Sequence, residues 1–283
     1  MKAKICDFEM NYEISGNEAG DWLVLIHGLA GSIRCWKYQL EDFNNHFRVL
    51  SLDMVGHGES TGSSAERYSG QIAANHIRML MDKLGIEKAH MLALSLGAII
   101  QQYFCEMFPE RVISTVYASP ATKHSFLIKI INGFFDKVFL KVFSKNAYLK
   151  IMGNLMLPGK IQEKSRKIFI RETMRMDDEE FFKWWKMAMG DNCYDHLTPS
   201  CLPALIVVGE KDICFYKDAV LLSKKYKNSD FRVFKDCGHV IIFQKREEFN
   251  ALVIEYIKNF KDCKESQEEA ETAGEKYRQD KIA

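Results

Sequence analysis

The stretch HMLALSLGAII, residues 90–100, sets one serine, Ser95, between two leucines inside an otherwise apolar run. Burying an unpaired hydroxyl costs about 1–3 kcal/mol, so this group is either satisfied locally or exposed for use. Before it, HMLALS is a short apolar run of strand type; after it, LGAIIQQYFCEMF follows a helical period that stops near Pro109. Ser95 therefore falls where a strand passes into a helix, with Gly97 two residues on. A serine on such a tight turn projects its Oγ out of the sheet, and a small neighbour lets the helix pass close by. The N–H of Leu96, at the helix N-terminus, then points toward any negative charge that develops on a substrate oxygen. The competing reading is a serine that merely caps the helix.

Outward from this junction the same rhythm repeats. WLVLIHG, FRVLSLDM, VISTVYAS, ALIVVGE and FRVFKDC are short and nearly continuously apolar, as expected of strands covered on both faces, whereas CDFEMNYEI alternates like a half-exposed antiparallel strand. Helical patterns such as SGQIAANHIRMLMDKLGI, FYKDAVLLSKKY and EEFNALVIEYIKNF lie between or after them. The alternation predicts a doubly wound α/β sheet whose ligands sit beyond the carboxyl ends of its strands. Between Pro120 and Pro203 no convincing strand occurs, and the helical runs SFLIKIINGFFDKVFLKVF, AYLKIMGNLML and EEFFKWWKMAM are crowded with aromatics and methionines. We expect an α/β core made of residues 1–120 and 201–262, a helical cap inserted over 121–200, and a charged tail over 263–283 that lacks the aliphatics to order itself.

Lys plus Arg (39) nearly balance Asp plus Glu (38), so no global field selects nucleic acid, and the expected partner is a small hydrophobic molecule. The N-terminal residues MKAKICDFEMNYEISG carry charges throughout and show no secretory pattern, and no stretch has the apolar length of a membrane span. The expectation is a cytoplasmic protein. Eight cysteines are scattered without CxxC pairs, and Cys6, Cys105, Cys214 and Cys237 fall in or beside apolar elements, which favours reduced thiols acting as small hydrophobes. Nor do the histidines have metal-ligand spacing, so no metal is expected. Lysines 129, 137, 141, 145 and 150 among the cap aromatics also suit a helix lying on an anionic membrane, a possibility the sequence allows but does not favour.

Several motifs in one order resemble the α/β-hydrolase-fold serine hydrolases, capped esterases, lipases and C–C hydrolases among them, from about Leu23 to Phe260. ALSLG is similar to the family's nucleophile elbow GxSxG, with Ala93 where the pattern has glycine. HGLAG after WLVLI is similar to the oxyanion loop, DMVGHGES to the DxxGxGxS loop that buttresses the elbow, GEKD to the acid turn and CGH to the base loop. The resemblance implies a mostly parallel eight-stranded sheet with helices on both faces and an inserted cap. It also implies a catalytic triad of Ser95, Asp212 and His239, an oxyanion hole formed by the N–H groups of Leu29 and Leu96, and no cofactor. Chain order serine, acid, histidine is the one this fold uses.

The residue types suit acyl transfer. A serine hydroxyl needs a base within hydrogen-bond reach, a histidine titrating near neutrality serves as one, and an aspartate holds the imidazole tautomer. Glu210 and Asp218 are neighbouring competitors for the acid role, and His27 and His57 are expected to shape the loops around Gly28 and Gly58. Most cap aromatics should form the cap's own core, with Phe134, Phe135, Trp184 and Trp185 as candidates for an apolar pocket above Ser95. The expected reaction is hydrolysis of a carboxylic ester, lactone or thioester with an apolar portion. Other chemistries carried by the resemblance are C–C bond hydrolysis and cofactor-free perhydrolysis, and outside enzymology a slow-turnover small-molecule receptor.

Overall fold

The computed structural model describes residues 1–123, 145–157, 159–160 and 163–259 of the chain. Eight strands form one sheet: β1 (Lys2–Ile5), β2 (Phe8–Gly16), β3 (Trp22–Ile26), β4 (Arg48–Leu52), β5 (Ala89–Leu94), β6 (Val112–Ala118), β7 (Ala204–Gly209) and β8 (Ser229–Phe234). Their spatial order is β1-β2-β4-β3-β5-β6-β7-β8. The ladders β1–β2 and β2–β4 are antiparallel and all the others are parallel. This is the α/β-hydrolase fold.

Why the central strands read as unbroken apolar runs is visible in which face each side chain joins. Along β3, Val24 and Ile26 enter one core while Leu23 and Leu25 enter the other; β5 divides Met91 and Ala93 from Leu92 and Leu94, and β7 divides Ile206 and Val208 from Leu205 and Val207. Successive side chains of a strand point to opposite faces, so a strand covered on both sides must be apolar at every position. Helices α1 (Lys37–Phe43), α2 (Gly70–Lys83) and α3 (Leu96–Met107) supply part of that cover. The expected final helix is observed over residues 246–259, burying Phe249, Val253 and Ile257. FRVFKDC departs from expectation: β8 is the edge of the sheet and partly exposed, with Val233 39% accessible, because only β7 flanks it. Two cysteines also depart, Cys6 and Cys201 being exposed, although all seven described cysteines are free thiols.

Between β6 and β7 the described chain is helical: α4 (Lys145–Met156), α5 (Glu163–Arg175), α6 (Asp178–Gly190) and the short α7 (Cys193–His196). After β7 come α8 (Tyr216–Ser223) and α9 (Ile241–Gln244). Asp177 caps α6, its carboxylate accepting the N–H groups of Glu179 (2.9 Å) and Glu180 (3.2 Å). This helix lies against the loop that follows β4. Trp184 Nε1–H donates to the Val55 carbonyl at 2.8 Å, and Glu180 accepts the Tyr68 hydroxyl and pairs with Lys183 at 3.1 Å. Trp184 and Trp185 are fully buried. Since deleting a buried aromatic side chain costs about 3–5 kcal/mol, these indoles are a principal tie between the helical segment and the sheet. Phe126, Phe134, Phe135, Phe139, Phe143, Lys129, Lys137, Lys141 and the tail lie outside the described residues. No helix among the described residues is long and apolar enough to cross a membrane.

Candidate active site

Ser95 ends β5 and opens α3 with φ +53° and ψ −116°, a backbone conformation that costs a residue bearing a Cβ about 1–3 kcal/mol. Tertiary contacts hold it there. Its N–H donates to the Ala118 carbonyl (3.0 Å), and its own carbonyl accepts the N–H groups of Ala98 (2.9 Å) and Ala121 (3.3 Å). Its side chain makes no capping hydrogen bond to α3. The helix passes close to β3 because position 97 has no side chain: a Cβ on Gly97 would stand 2.5 Å from the His27 carbonyl oxygen and 2.6 Å from that of Ile26. Gly28 likewise lets the loop after β3 approach Ser95, whose Cβ would lie 3.2 Å from a Cβ there. At the position of the elbow's departure from GxSxG, Ala93 is fully buried between Ile26 and Tyr117, so its methyl is accommodated by the ladder.

Three side chains far apart in sequence meet at the carboxyl end of the parallel strands. His239 Nε2 lies 3.0 Å from Ser95 Oγ, and His239 Nδ1 lies 2.8 Å from Asp212 Oδ2. The other carboxylate oxygen of Asp212 accepts the Phe215 N–H at 3.1 Å, and the Phe215 ring stacks on the imidazole with centroids 4.6 Å apart. Asp212 is buried and His239 nearly so. Glu210 and Asp218 are engaged elsewhere: Glu210 accepts the Asp236 N–H (3.2 Å), and Asp218 accepts those of Thr122 (2.8 Å) and Lys123 (2.9 Å). Leu96 is the first residue of α3, where an N–H has no intrahelical acceptor. Leu29 follows Gly28 in the loop facing Ser95.

The loop after β4 is organised by Asp53, whose carboxylate accepts the N–H groups of Ile33 (2.7 Å) and Glu59 (2.9 Å) and the Asn11 side-chain amide (2.8 Å). His27 joins this loop to the elbow. Its Nδ1–H donates to the Gly28 carbonyl (2.8 Å) and its Nε2 accepts the Met54 N–H (3.1 Å), a pair of bonds that requires the neutral ring. Burial holds the His27 and His57 pKa values below the ordinary imidazole range.

A cavity of about 550 Å³ opens over Ser95 and His239. Its apolar wall comes from Leu29, Leu94, Leu157, Ile168, Phe169, Val240 and Phe243. Trp184 and Trp185 do not line it; the indole N–H of Trp184 is spent on Val55, and its ring packs between His57 (5.2 Å) and Tyr68 (4.9 Å). The helical segment contributes to the cavity chiefly through α5, a helix without the aromatic stripe that marks its neighbours. Its signal was present nonetheless: Lys164, Ile168, Arg171, Glu172 and Arg175 recur at helical spacing and share the face that borders the cavity.

Asp218 sits where the chain leaves β6 for the helical segment, and burial, the largest influence, pushes its carboxyl up to about 6 despite two N–H donors that pull it down. A carboxyl raised on folding contributes stability that is complete below its unfolded pKa and is lost as pH rises through the folded one. Asp218→Asn, which removes the buried charge, should therefore gain on the wild type by about 1–1.5 kcal/mol between pH 5 and pH 8. Urea midpoints of the two proteins at both pH values check this; a pH-independent difference would contradict it.

A family model described as alpha/beta hydrolase fold matches residues 21–155. An uncharacterized carboxylesterase of Bacillus subtilis is 26% identical over 256 residues, spanning 86% of this chain and 81% of that protein. The dihydrolipoyllysine-residue acetyltransferase component of the acetoin cleaving system of Pseudomonas putida is 25% identical over 248 residues; the match spans 86% of this chain but only 65% of that longer protein. Among solved structures, the enol-lactonase from Burkholderia xenovorans LB400 superposes with a TM-score of 0.78 at 17% identity, covering 91% of this chain and all of the other. With sheet order, elbow conformation and family model in agreement, the protein has the α/β-hydrolase fold.

Proposed function

We propose that the protein is a serine hydrolase that cleaves a carboxylic ester, lactone or thioester with an apolar portion, through an acyl-enzyme on Ser95. The observation that carries this reading is the hydrogen-bonded chain Asp212–His239–Ser95 at the floor of the cavity. In this mechanism Ser95 Oγ attacks the carbonyl carbon as His239 Nε2 takes its proton, and Asp212 stabilises the imidazolium through Nδ1–H. The oxygen that gains charge is received by the N–H groups of Leu29 and Leu96, donors fixed in place before reaction. His239 returns the proton to the departing alcohol or thiol, and water activated by the same imidazole releases the acid.

The helices between β6 and β7 act in this reading as a cap whose α5 face shapes the acyl or alcohol pocket. Leu157, Ile168 and Phe169 of the cap face Val240 and Phe243 of the core across the cavity. The words carboxylesterase and lactonase in the names of the Bacillus and Burkholderia proteins accord with acyl transfer to water. Labelling with a fluorophosphonate followed by peptide mapping tests the proposal: the adduct is expected on Ser95, in competition with p-nitrophenyl butyrate. An adduct on another residue, or none, would overturn it.

A further inference from the structure

We infer that the substrate of this site carries an anionic group, a carboxylate or a phosphate, at the end that reaches the cavity mouth. The inference deepens the hydrolase reading and rests on it. The whole chain is nearly neutral, with 39 basic and 38 acidic residues. Around this one cavity, however, six cations stand against a single carboxylate: Arg34, Lys37, Lys164, Arg171, Arg175 and Arg246 against Glu172. They come from three separate parts of the chain, the turn leading into α1 with that helix's first residue, the α5 face and the start of the last helix, so the clustering arises only on folding.

Little in the described protein neutralises them. Glu172 is shared by Arg171 (3.0 Å) and Arg175 (3.1 Å). Arg34 reaches only the exposed Glu59, at 3.7 Å, and Arg246 the exposed Glu247, at 3.2 Å. Lys37 and Lys164 have no carboxylate within salt-bridge distance among the described residues. The sharpest feature is Tyr38, whose ring receives two cations, the Arg246 guanidinium 5.0 Å and the Lys37 ammonium 5.8 Å from its centroid. Like charges gathered on one half-buried ring repel, and an anion held between them removes that repulsion while gaining charge-assisted hydrogen bonds. The apolar wall then takes the uncharged part of the substrate, and the field at the mouth steers the charged end.

Paired substrates test this. On the acyl side, p-nitrophenyl hydrogen adipate is compared with p-nitrophenyl hexanoate; on the leaving-group side, 4-(butyryloxy)phenyl phosphate with phenyl butyrate. One anionic member is expected to exceed its neutral partner by about tenfold or more in kcat/KM at low ionic strength, and the advantage should shrink in about 0.5 M salt. In Lys37→Gln/Arg246→Gln the ratio of anionic to neutral kcat/KM should fall toward one. Binding without turnover is read by calorimetry on Ser95→Ala protein with N-phenyladipamic acid and N-phenylhexanamide, the acid expected to bind more tightly. That arm separates the two readings: charge preference in binding with no hydrolysis of any ester would sink the hydrolase reading alone. Equal or better performance of the neutral member in both pairs and in binding would overturn the inference. So would a charge preference that survives both salt and the double variant. Capture by phosphatidylglycerol vesicles that is lost in the double variant, with no charge preference among soluble substrates, would assign the basic rim to a membrane and overturn it as well.

Discussion

Ser95→Ala is expected to lower kcat for p-nitrophenyl butyrate by about 10³–10⁶-fold while leaving the fold intact. The loss is large because in the proposed mechanism this hydroxyl is the attacking group, and it lies 3.0 Å from His239 Nε2 at the cavity floor. What remains is the background supplied by binding and the oxyanion donors. Stability should change by about 1 kcal/mol or less, since one hydrogen bond is lost and the backbone is untouched. Strain offers a control. At φ +53° both serine and alanine bear the cost of a Cβ in a disfavoured region, whereas glycine does not. Ser95→Gly should therefore unfold at a higher Tm than Ser95→Ala and be equally inactive, which shows that the strained elbow is retained for chemistry and not for stability. Retention of more than a tenth of wild-type kcat by either variant would contradict the proposed nucleophile.

Much of this architecture is legible in the sequence because its signals are local. A strand covered on both faces is apolar at every position, so WLVLI, HMLAL and ALIVV announce themselves before any tertiary contact is known. The elbow is legible because Ser95 and Gly97 stand together at one strand-to-helix junction, even though the carbonyls that require the glycine, those of Ile26 and His27, come from an earlier strand. Where the reading failed, the deciding contact lay elsewhere in the chain. KAKI, with two lysines in four residues, becomes β1 only because β2 pairs with it in register, Lys2 opposite Asn11 and Ile5 opposite Phe8. Trp184 and Trp185 have the composition of pocket walls, yet a carbonyl at Val55, 129 residues earlier, claims the first indole and turns the helix face toward the core. The basic rim was hidden for the same reason. Arg34, Lys164 and Arg246 are unremarkable in sequence and become one feature only when the helical segment and the sheet border the same cavity.

Asp212→Asn should reduce kcat by about 10³–10⁴-fold at neutral pH, and the hydrogen bonds on its two oxygens say why. Oδ1 is held by a backbone donor, the Phe215 N–H at 3.1 Å, while Oδ2 receives the Nδ1–H of His239 at 2.8 Å. An asparagine in this place must keep its carbonyl on the Phe215 side, because a backbone N–H cannot accept. Its NH₂ then faces Nδ1 and donates to it, which forces the ring proton onto Nε2. An imidazole protonated at Nε2 donates to Ser95 Oγ and cannot take its proton. Asp212→Ala removes the carboxylate without imposing the wrong tautomer, so it should be no less active than Asp212→Asn despite the greater loss of packing. Measured kcat values for the two variants, with the imidazole tautomer assigned by nitrogen NMR, check the ordering. Near-wild-type turnover in Asp212→Asn would overturn the proposed acid role and leave the Asp212–His239 contact a structural one.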